Sequence, residues 1–98
     1  MLYAVLFEDN PDMAHVRDQR MGDHLAFLER NSSAIIAAGP LRDTADNTPA
    51  GGLWLVEADD AAEVAALYQQ DPFWPTGLRR SVRVLQWRQV FRDGKRRI

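Results

Sequence analysis

The fold of this chain is set by the stretch LWLVEADDAAEVAALYQQ, residues 53–70, in which the apolar pattern changes its period. Leu53–Ala58 is an apolar run of strand length, whereas the residues that follow carry apolar side chains at helical spacing. Asp60 stands three residues before Glu63, which is a capping-box-like start signal for a helix. The stretch therefore predicts a strand that leads directly into a helix, Ala61–Gln70.

The same strand-then-helix pattern occurs once before this stretch, and two further strands complete the order. The predicted elements before this stretch are a strand Leu2–Glu8, a helix from Met13 to about Arg30 that starts after Asn10-Pro11-Asp12, a strand Ala34–Leu41 ended by Gly39-Pro40, and a loop Arg42–Gly51. After the stretch come a break Asp71–Gly77 and a strand Val82–Phe91. This β-α-β-β-α-β order predicts an α+β fold of the ferredoxin-like type with an antiparallel sheet.

The predicted first and third strands are apolar on both faces. Tyr3, Val5 and Phe7 alternate with equally apolar neighbours, and Leu53 and Leu55 alternate with an apolar pair in the third strand. Two helices can cover only one face of a single sheet, so something must cover the other face. We expect a homodimer formed by sheet-to-sheet packing; a long covering loop is the alternative.

Composition limits the classes of protein. The 98 residues predict a single domain, 1–98, and an apolar content of 46% predicts a small core. The absence of cysteine excludes disulfide scaffolds, thiolate zinc sites and cysteine nucleophiles. The apolar N-terminal run soon meets Glu8 and Asp9, which makes it too short for a signal peptide or a membrane span, so we expect a cytoplasmic protein that does not enter the membrane.

Charge is distributed unevenly along the chain, although the net charge is only -2. The bases after Pro72 are Arg79, Arg80, Arg83, Arg88, Arg92, Lys95, Arg96 and Arg97, against Asp93 alone. Such an end can attract nucleic acid. No nucleic-acid motif accompanies these basic residues, however. We prefer the interpretation that a basic last strand pairs with acidic neighbours and ends in a solvated tail at about residues 93–98.

One edge of the predicted first helix carries polar side chains of chemical interest. On a helical wheel His24 lies about 40° from Leu28, and Arg17 and Arg20 share roughly this side. These residues could line a pocket in which the arginines bind an anionic group and His24 transfers a proton. A boundary histidine beside two arginines whose stems cover apolar surface is the alternative.

Asp71 ends the second predicted helix, since Pro72 cannot continue it. An acid at a helix C-terminus opposes the helix dipole, so a partner such as an imidazole is expected, although a plain helix-stop turn has the same sequence. The two helices of this fold pack side by side, which makes a His24–Asp71 contact geometrically possible.

Other chemistries are poorly supported by the sequence. His15 and His24 are about 180° apart on the wheel and cannot share a metal ion, and the acids Glu8, Asp9 and Asp12 are interpreted as a solvated turn. No serine elbow or glycine-rich phosphate loop is present. We therefore predict no metal and no cofactor, which leaves general acid–base catalysis or plain binding.

The chain resembles the YCII-related (YciI-like) family in an ordered set of short motifs. These are the Leu-Tyr-Ala-Val strand, His24-Leu25 with Phe27-Leu28, Ala38-Gly39-Pro40, Gly52, Asp71-Pro72-Phe73, and Gly77-Leu78 before a Val-x-Val strand. The resemblance implies a dimeric α+β barrel assembly and a site built on a His-Asp pair.

Carried over residue by residue, the resemblance makes His24 and Asp71 the catalytic pair and places Gly39 and Pro40 in the pocket wall. Phe73, the aromatic residue of the Asp-Pro motif, joins Arg17 and Arg20 as predicted substrate-binding residues. Some relatives have a serine and an arginine shortly before the histidine, where this chain has Asp18-Gln19-Arg20-Met21, so a serine-dependent step is not expected.

The leading hypothesis is a cofactor-independent lyase or isomerase that acts on a small, anionic or cyclic metabolite. His24 would be its general acid and base, and Asp71 would fix the tautomer of His24. The alternative is a non-catalytic small-ligand-binding or dimeric accessory protein. In either case the expected partners are a small molecule and a second copy of the chain, without nucleic acid.

Overall fold

The computed structural model describes the whole chain, Met1–Ile98. Its elements are β1 Leu2–Asp9, α1 His15–Arg30, β2 Ile35–Arg42, β3 Pro49–Glu57, α2 Ala61–Tyr68, β4 Arg79–Gln86, β5 Phe91–Arg92 and β6 Lys95–Arg96, with short 3-10 turns at Pro11–Met13 and Trp74–Thr76. The first four strands form one antiparallel sheet in the order β2-β3-β1-β4. The predicted ferredoxin-like α+β fold is confirmed.

The core lies between this sheet and the two helices. Its largest fully buried side chains include Trp54 of β3 and Phe27 of α1, and Val5 and Val56 contribute from the two central strands. Val64 joins them from α2. In β1 and β3 one of the two alternating apolar sets therefore faces the helices, and the other set faces away from them.

The opposite face of the sheet is apolar and open. Leu53 and Leu55 of β3 are only partly buried, while Ile36, Leu85 and Trp87 remain 58%, 41% and 43% exposed. Gln89 and Arg92 of the C-terminal segment lie against part of this face, but the exposure of Ile36 and Leu85 shows that no loop covers all of it.

The start of α2 follows its local sequence signal, whereas α1 begins at His15 without a side-chain cap. The Asp60 side chain accepts a hydrogen bond from the Glu63 N–H at 2.9 Å, which satisfies one of the free donors at the start of α2. The Glu63 carboxylate in turn accepts from the backbone of Asp59 at 3.1 Å. Neither helix is long and apolar enough to cross a membrane; the cytoplasmic location stays a prediction.

The strand ends differ from the predicted ones at two places. β2 continues past Pro40 to Arg42, because β2 is an edge strand and the missing N–H of a proline removes no ladder bond on an open edge. β3 begins at Pro49, inside the predicted loop Arg42–Gly51. The connection between these strands is thus shorter than expected.

The C-terminal part differs more. β4 covers Arg79–Gln86 instead of Val82–Phe91, and the predicted tail contains half of a β5–β6 hairpin. Asp93 and Gly94 both have positive φ, 55° and 73°, which is the backbone of a tight two-residue hairpin turn. Acidic residues of β1 bind Arg79 and Arg80, which lie before the predicted last strand Val82–Phe91, so the pairing of that strand with acidic neighbours stays a prediction.

Candidate active site

His24 and Asp71 lie in direct contact although 47 residues separate them in sequence. The Nδ1 atom of His24 is 2.9 Å from Oδ1 of Asp71, and the two residues are only 7% and 3% exposed. His24 comes from the middle of α1, and Asp71 from the turn that follows α2. The fold therefore brings together the two residues that the sequence had only made possible partners.

Local backbone structure fixes the carboxylate of Asp71. The Asp71 N–H donates to the carbonyl of Tyr68 at 3.2 Å, which closes the last turn after α2. Oδ1 of Asp71 also accepts a hydrogen bond from the Phe73 N–H at 3.1 Å, so the side chain forms its own tight turn across Pro72. The carboxylate of Asp71 is therefore fixed in position without a ligand, and its Oδ1 atom contacts both the Phe73 N–H and Nδ1 of His24.

The imidazole of His24 is held between aromatic rings. It stacks on Phe73 with a centroid distance of 4.2 Å and an interplanar angle of 18°, and Trp54 lies 6.3 Å away. Its Nε2 atom makes no hydrogen bond within the protein. In the neutral ring, a proton on Nδ1 donated to Asp71 leaves the Nε2 lone pair free to accept a proton. That arrangement suits a general base, and the protonated ring is then a general acid.

A cavity of about 100 Å³ opens beside His24. Its wall is formed by residues of α1, β2 and β3: Arg17, Met21, His24, Leu25, Leu28, Ala38, Gly39, Pro40 and Trp54. Four predicted site residues, Arg17, His24, Gly39 and Pro40, therefore meet at one place. Trp54 was predicted only as an apolar strand residue, and no sequence signal distinguishes it as part of the wall.

Two predicted substrate-binding residues do not line this cavity. Arg20 is exposed and its guanidinium lies 3.8 Å from Asp23, because the long stem carries the charge away from the helix edge that its Cα occupies. Phe73 is fully buried behind the His24 ring. The structure places Phe73 where it supports the histidine.

Arg17 is held at the cavity wall by an acid that was misread from the sequence. Its Nε and Nη2 atoms donate to Oδ2 of Asp9, with the Nε distance 3.1 Å. The other oxygen of Asp9 accepts from Nη1 of Arg79 at 2.7 Å. The interpretation of Asp9 as part of a solvated turn is therefore wrong, since its side chain is only 13% exposed and is shared by two arginines.

The Asp9–Arg79 contact had no usable signal in the sequence. The two residues are 70 positions apart, and Arg79 was counted only as a member of the basic C-terminal stretch. Burial lowers the pKa of Arg79 from its ordinary value, and the hydrogen bond with Asp9 opposes that shift. No group of three or more His, Cys, Asp or Glu side chains is arranged to hold a metal ion.

Comparison with known proteins places this geometry in a family. Residues 1–88 match the family model for the YCII-related domain. The chain belongs to this family. No match is found among curated protein sequences.

One solved structure is similar over nearly all of the chain. It is the 5-chloro-2-hydroxyhydroquinone dehydrochlorinase of Burkholderia phenoliruptrix AC1100 in complex with 2,5-dihydroxybenzoquinone, with a TM-score of 0.77 and 30% sequence identity. The match covers 90% of this chain and 94% of the dehydrochlorinase. The name of that protein says that it acts on a small hydroquinone.

Proposed function

We propose that this YCII-related protein is a cofactor-independent lyase or isomerase that acts on a small, acidic ring compound. The observation that carries the proposal is the orientation of His24: Nδ1 is held by Asp71, while the ring lines a cavity that also contains Arg17. In this hypothesis Nε2 of His24 takes a proton from the substrate and returns it to another atom or to the leaving group.

Each residue then has a separate role. Asp71 keeps the His24 proton on Nδ1 and stabilises the imidazolium that forms when Nε2 is protonated. Arg17 binds the oxygen on which negative charge develops. In an elimination the electron pair of the broken O–H or C–H bond forms the new double bond, and the leaving group departs with the electrons of its own bond.

The size of the cavity limits the substrate. Pockets for drug-sized ligands are usually about 300–1,000 Å³, whereas this one is about 100 Å³. A compact molecule with one ring fits that limit. The ligand named for the similar dehydrochlorinase, 2,5-dihydroxybenzoquinone, is of this kind, which supports the proposed substrate class.

The test uses two histidines of the same helix. Chloride release from 5-chloro-2-hydroxyhydroquinone is measured for the wild type, His24→Gln and the control His15→Gln, whose side chain is exposed. We expect His24→Gln to lose about 10²–10⁴-fold in kcat/KM and His15→Gln to keep wild-type activity. If the wild type releases no chloride and both variants bind 2,5-dihydroxybenzoquinone as the wild type does, the protein is a binding module for this class of ligand.

We further propose that a second copy of the chain covers the open face of the sheet. Ile36, Leu55 and Trp87 line an apolar groove there, and a monomer would leave it in water. Ile36→Asp should turn a homodimer into a monomer, measured by light scattering after size exclusion, while Ala26→Asp on the exposed side of α1 should not. A wild-type protein that is monomeric at micromolar concentration would contradict this assembly.

A further inference from the structure

Two consecutive arginines of β4 have opposite environments. The β1–β4 pairing shifts its register between Glu8 and Asp9, so that Asp9 lies opposite Arg79. As a result the Arg79 side chain points to the core side and is 4% exposed, whereas the Arg80 side chain is 60% exposed and binds Glu8. A one-residue shift in a strand decides which arginine is buried.

The buried position of Arg79 is costly. Its guanidinium lies 4.4 Å from the centroid of Phe7 and 5.4 Å from that of Phe73, and its Nε has no hydrogen-bond partner. A Cβ at Gly52 would come within 3.2 Å of Nη1, so β3 leaves room for this side chain. Because a hydrophobic residue of similar size would avoid the desolvation cost, stability alone does not explain a charge at this place.

Arg79 acts on the cavity through Asp9. One oxygen of Asp9 binds Arg79 and the other binds Nε and Nη2 of Arg17, which leaves Nη1 of Arg17 without a partner in the protein. With neutral His24, the charges of Arg17 and Arg79 balance those of Asp9 and Asp71. Without Arg79 the same cluster would carry one net negative charge beside the ligand.

We propose that Arg79 is a positioning residue that determines specificity: it offsets the charge of Asp9, so that the positive charge of Arg17 at the cavity is not cancelled by Asp9 and favours acidic ligands over neutral ones of the same size. This inference rests on the proposed function, since it assigns the charge class of the ligand at the same site. Arg79 itself does not line the cavity and contacts no reacting atom.

The experiment compares two ligands of similar size and different charge. The acidic probe is 2,5-dihydroxybenzoquinone, whose hydroxyl groups are vinylogous acids and ionised at neutral pH, and the neutral probe is hydroquinone. Dissociation constants are measured by calorimetry for the wild type, Arg79→Gln and the matched control Arg80→Gln. The quantity of interest is the ratio of the two affinities, because a merely structural role of Arg79 would weaken the binding of both probes alike.

We expect Arg79→Gln to lower the preference for the acidic probe by at least about tenfold, because one pair of unit charges about 10 Å apart already gives this factor at an effective dielectric constant near 20 and the probe carries two negative charges. Arg80→Gln should leave the preference within about twofold. Arg79→Lys retains the charge and should recover most of the preference. Asp9→Asn removes the opposing negative charge and should raise the preference for the acidic probe. Because this change has the opposite sign, it tests the role of Arg79 even if Arg79→Gln folds poorly.

The outcomes separate this inference from the proposed function. An unchanged preference in both Arg79→Gln and Asp9→Asn overturns the role of Arg79 even if His24-dependent turnover stands. An equal loss of affinity for both probes in Arg79→Gln also overturns this role and indicates that Arg79 is only structural. A wild type that binds hydroquinone as tightly as 2,5-dihydroxybenzoquinone removes the selectivity that Arg79 is proposed to set.

Discussion

Replacing Asp71 by asparagine tests the proposed division of labour at the site. The substitution keeps the shape of the side chain, and the Phe73 N–H can still donate to an oxygen at the same place. What is lost is the negative charge 2.9 Å from Nδ1 of His24. Asp71→Asn therefore removes stabilisation of the imidazolium while leaving the surrounding turn intact.

The magnitude follows from the geometry of the buried pair. Two unit charges about 4 Å apart interact by about 4 kcal/mol at an effective dielectric constant near 20. The amide oxygen that remains retains part of this energy as a dipole, so the net loss in the transition state is about 2–4 kcal/mol. One order of magnitude in rate corresponds to about 1.4 kcal/mol, so kcat/KM should fall by about 30- to 1,000-fold.

The assay is chloride release from 5-chloro-2-hydroxyhydroquinone, with thermal unfolding measured in parallel. The melting temperature of Asp71→Asn should fall by no more than about 8 °C, which corresponds to about 1 kcal/mol for a domain of this size. Asp23→Asn is the control, because this acid is next to His24 in sequence and its side chain is 67% exposed. A fall in kcat/KM of less than about fivefold with an unchanged melting temperature would refute the assigned role of Asp71.

Three further predictions concern the scaffold. Trp54→Ala should lower the free energy of unfolding by about 3–5 kcal/mol in urea titrations, because Trp54 is 1% exposed, whereas Phe91→Ala, at a side chain 65% exposed, should cost less than about 1 kcal/mol; equal effects would contradict the assigned core. Gly51→Ala should destabilise the protein by more than about 2 kcal/mol in the same titrations, since Gly51 has φ 105° and a Cβ there would lie 1.8 Å from the Phe7 carbonyl oxygen; a neutral effect would contradict the β1–β3 register. Hydrogen bonds from Arg80, and then Ser81, lower the pKa of Glu8. The ionised Glu8 therefore stabilises the fold above its unfolded-state pKa, and this stabilisation is lost as the pH falls through the pKa of the folded state. Melting temperatures of the wild type should fall more steeply in acid than those of Glu8→Gln, and parallel curves would contradict this.

The element order was predictable because it depends on local patterns. The period change around Asp60, the alternation in β1 and the proline after Asp71 each act over a few residues, so one sequence suffices to read them. The pairing of His24 with Asp71 was predictable only as a possibility. The sequence places His24 on the first helix and Asp71 at the end of the second, but the 2.9 Å contact depends on how the two helices pack.

The remaining features depend on partners that are distant in sequence. β4 begins at Arg79 because this residue and Arg80 bind Asp9 and Glu8 of β1, and no local pattern indicates a cross-strand ion pair. Arg20 was placed with the site by its Cα position, whereas its long side chain turns outward. The Asp93-Gly94 turn did carry a local signal, since Asp-Gly is a preferred hairpin dipeptide, but the surrounding basic residues made the segment resemble a tail.

Nitrogen-detected NMR of the two imidazoles reads the tautomer of His24 and its response to a ligand in one sample. At alkaline pH we expect neutral His24 to carry its proton on Nδ1, and we expect 2,5-dihydroxybenzoquinone to shift the Nε2 resonance of His24 while His15 does not respond. A proton on Nε2 in the free protein, or a bound ligand that leaves the His24 resonances unchanged, would contradict a site in which Asp71 holds His24 ready to act on a molecule beside Arg17.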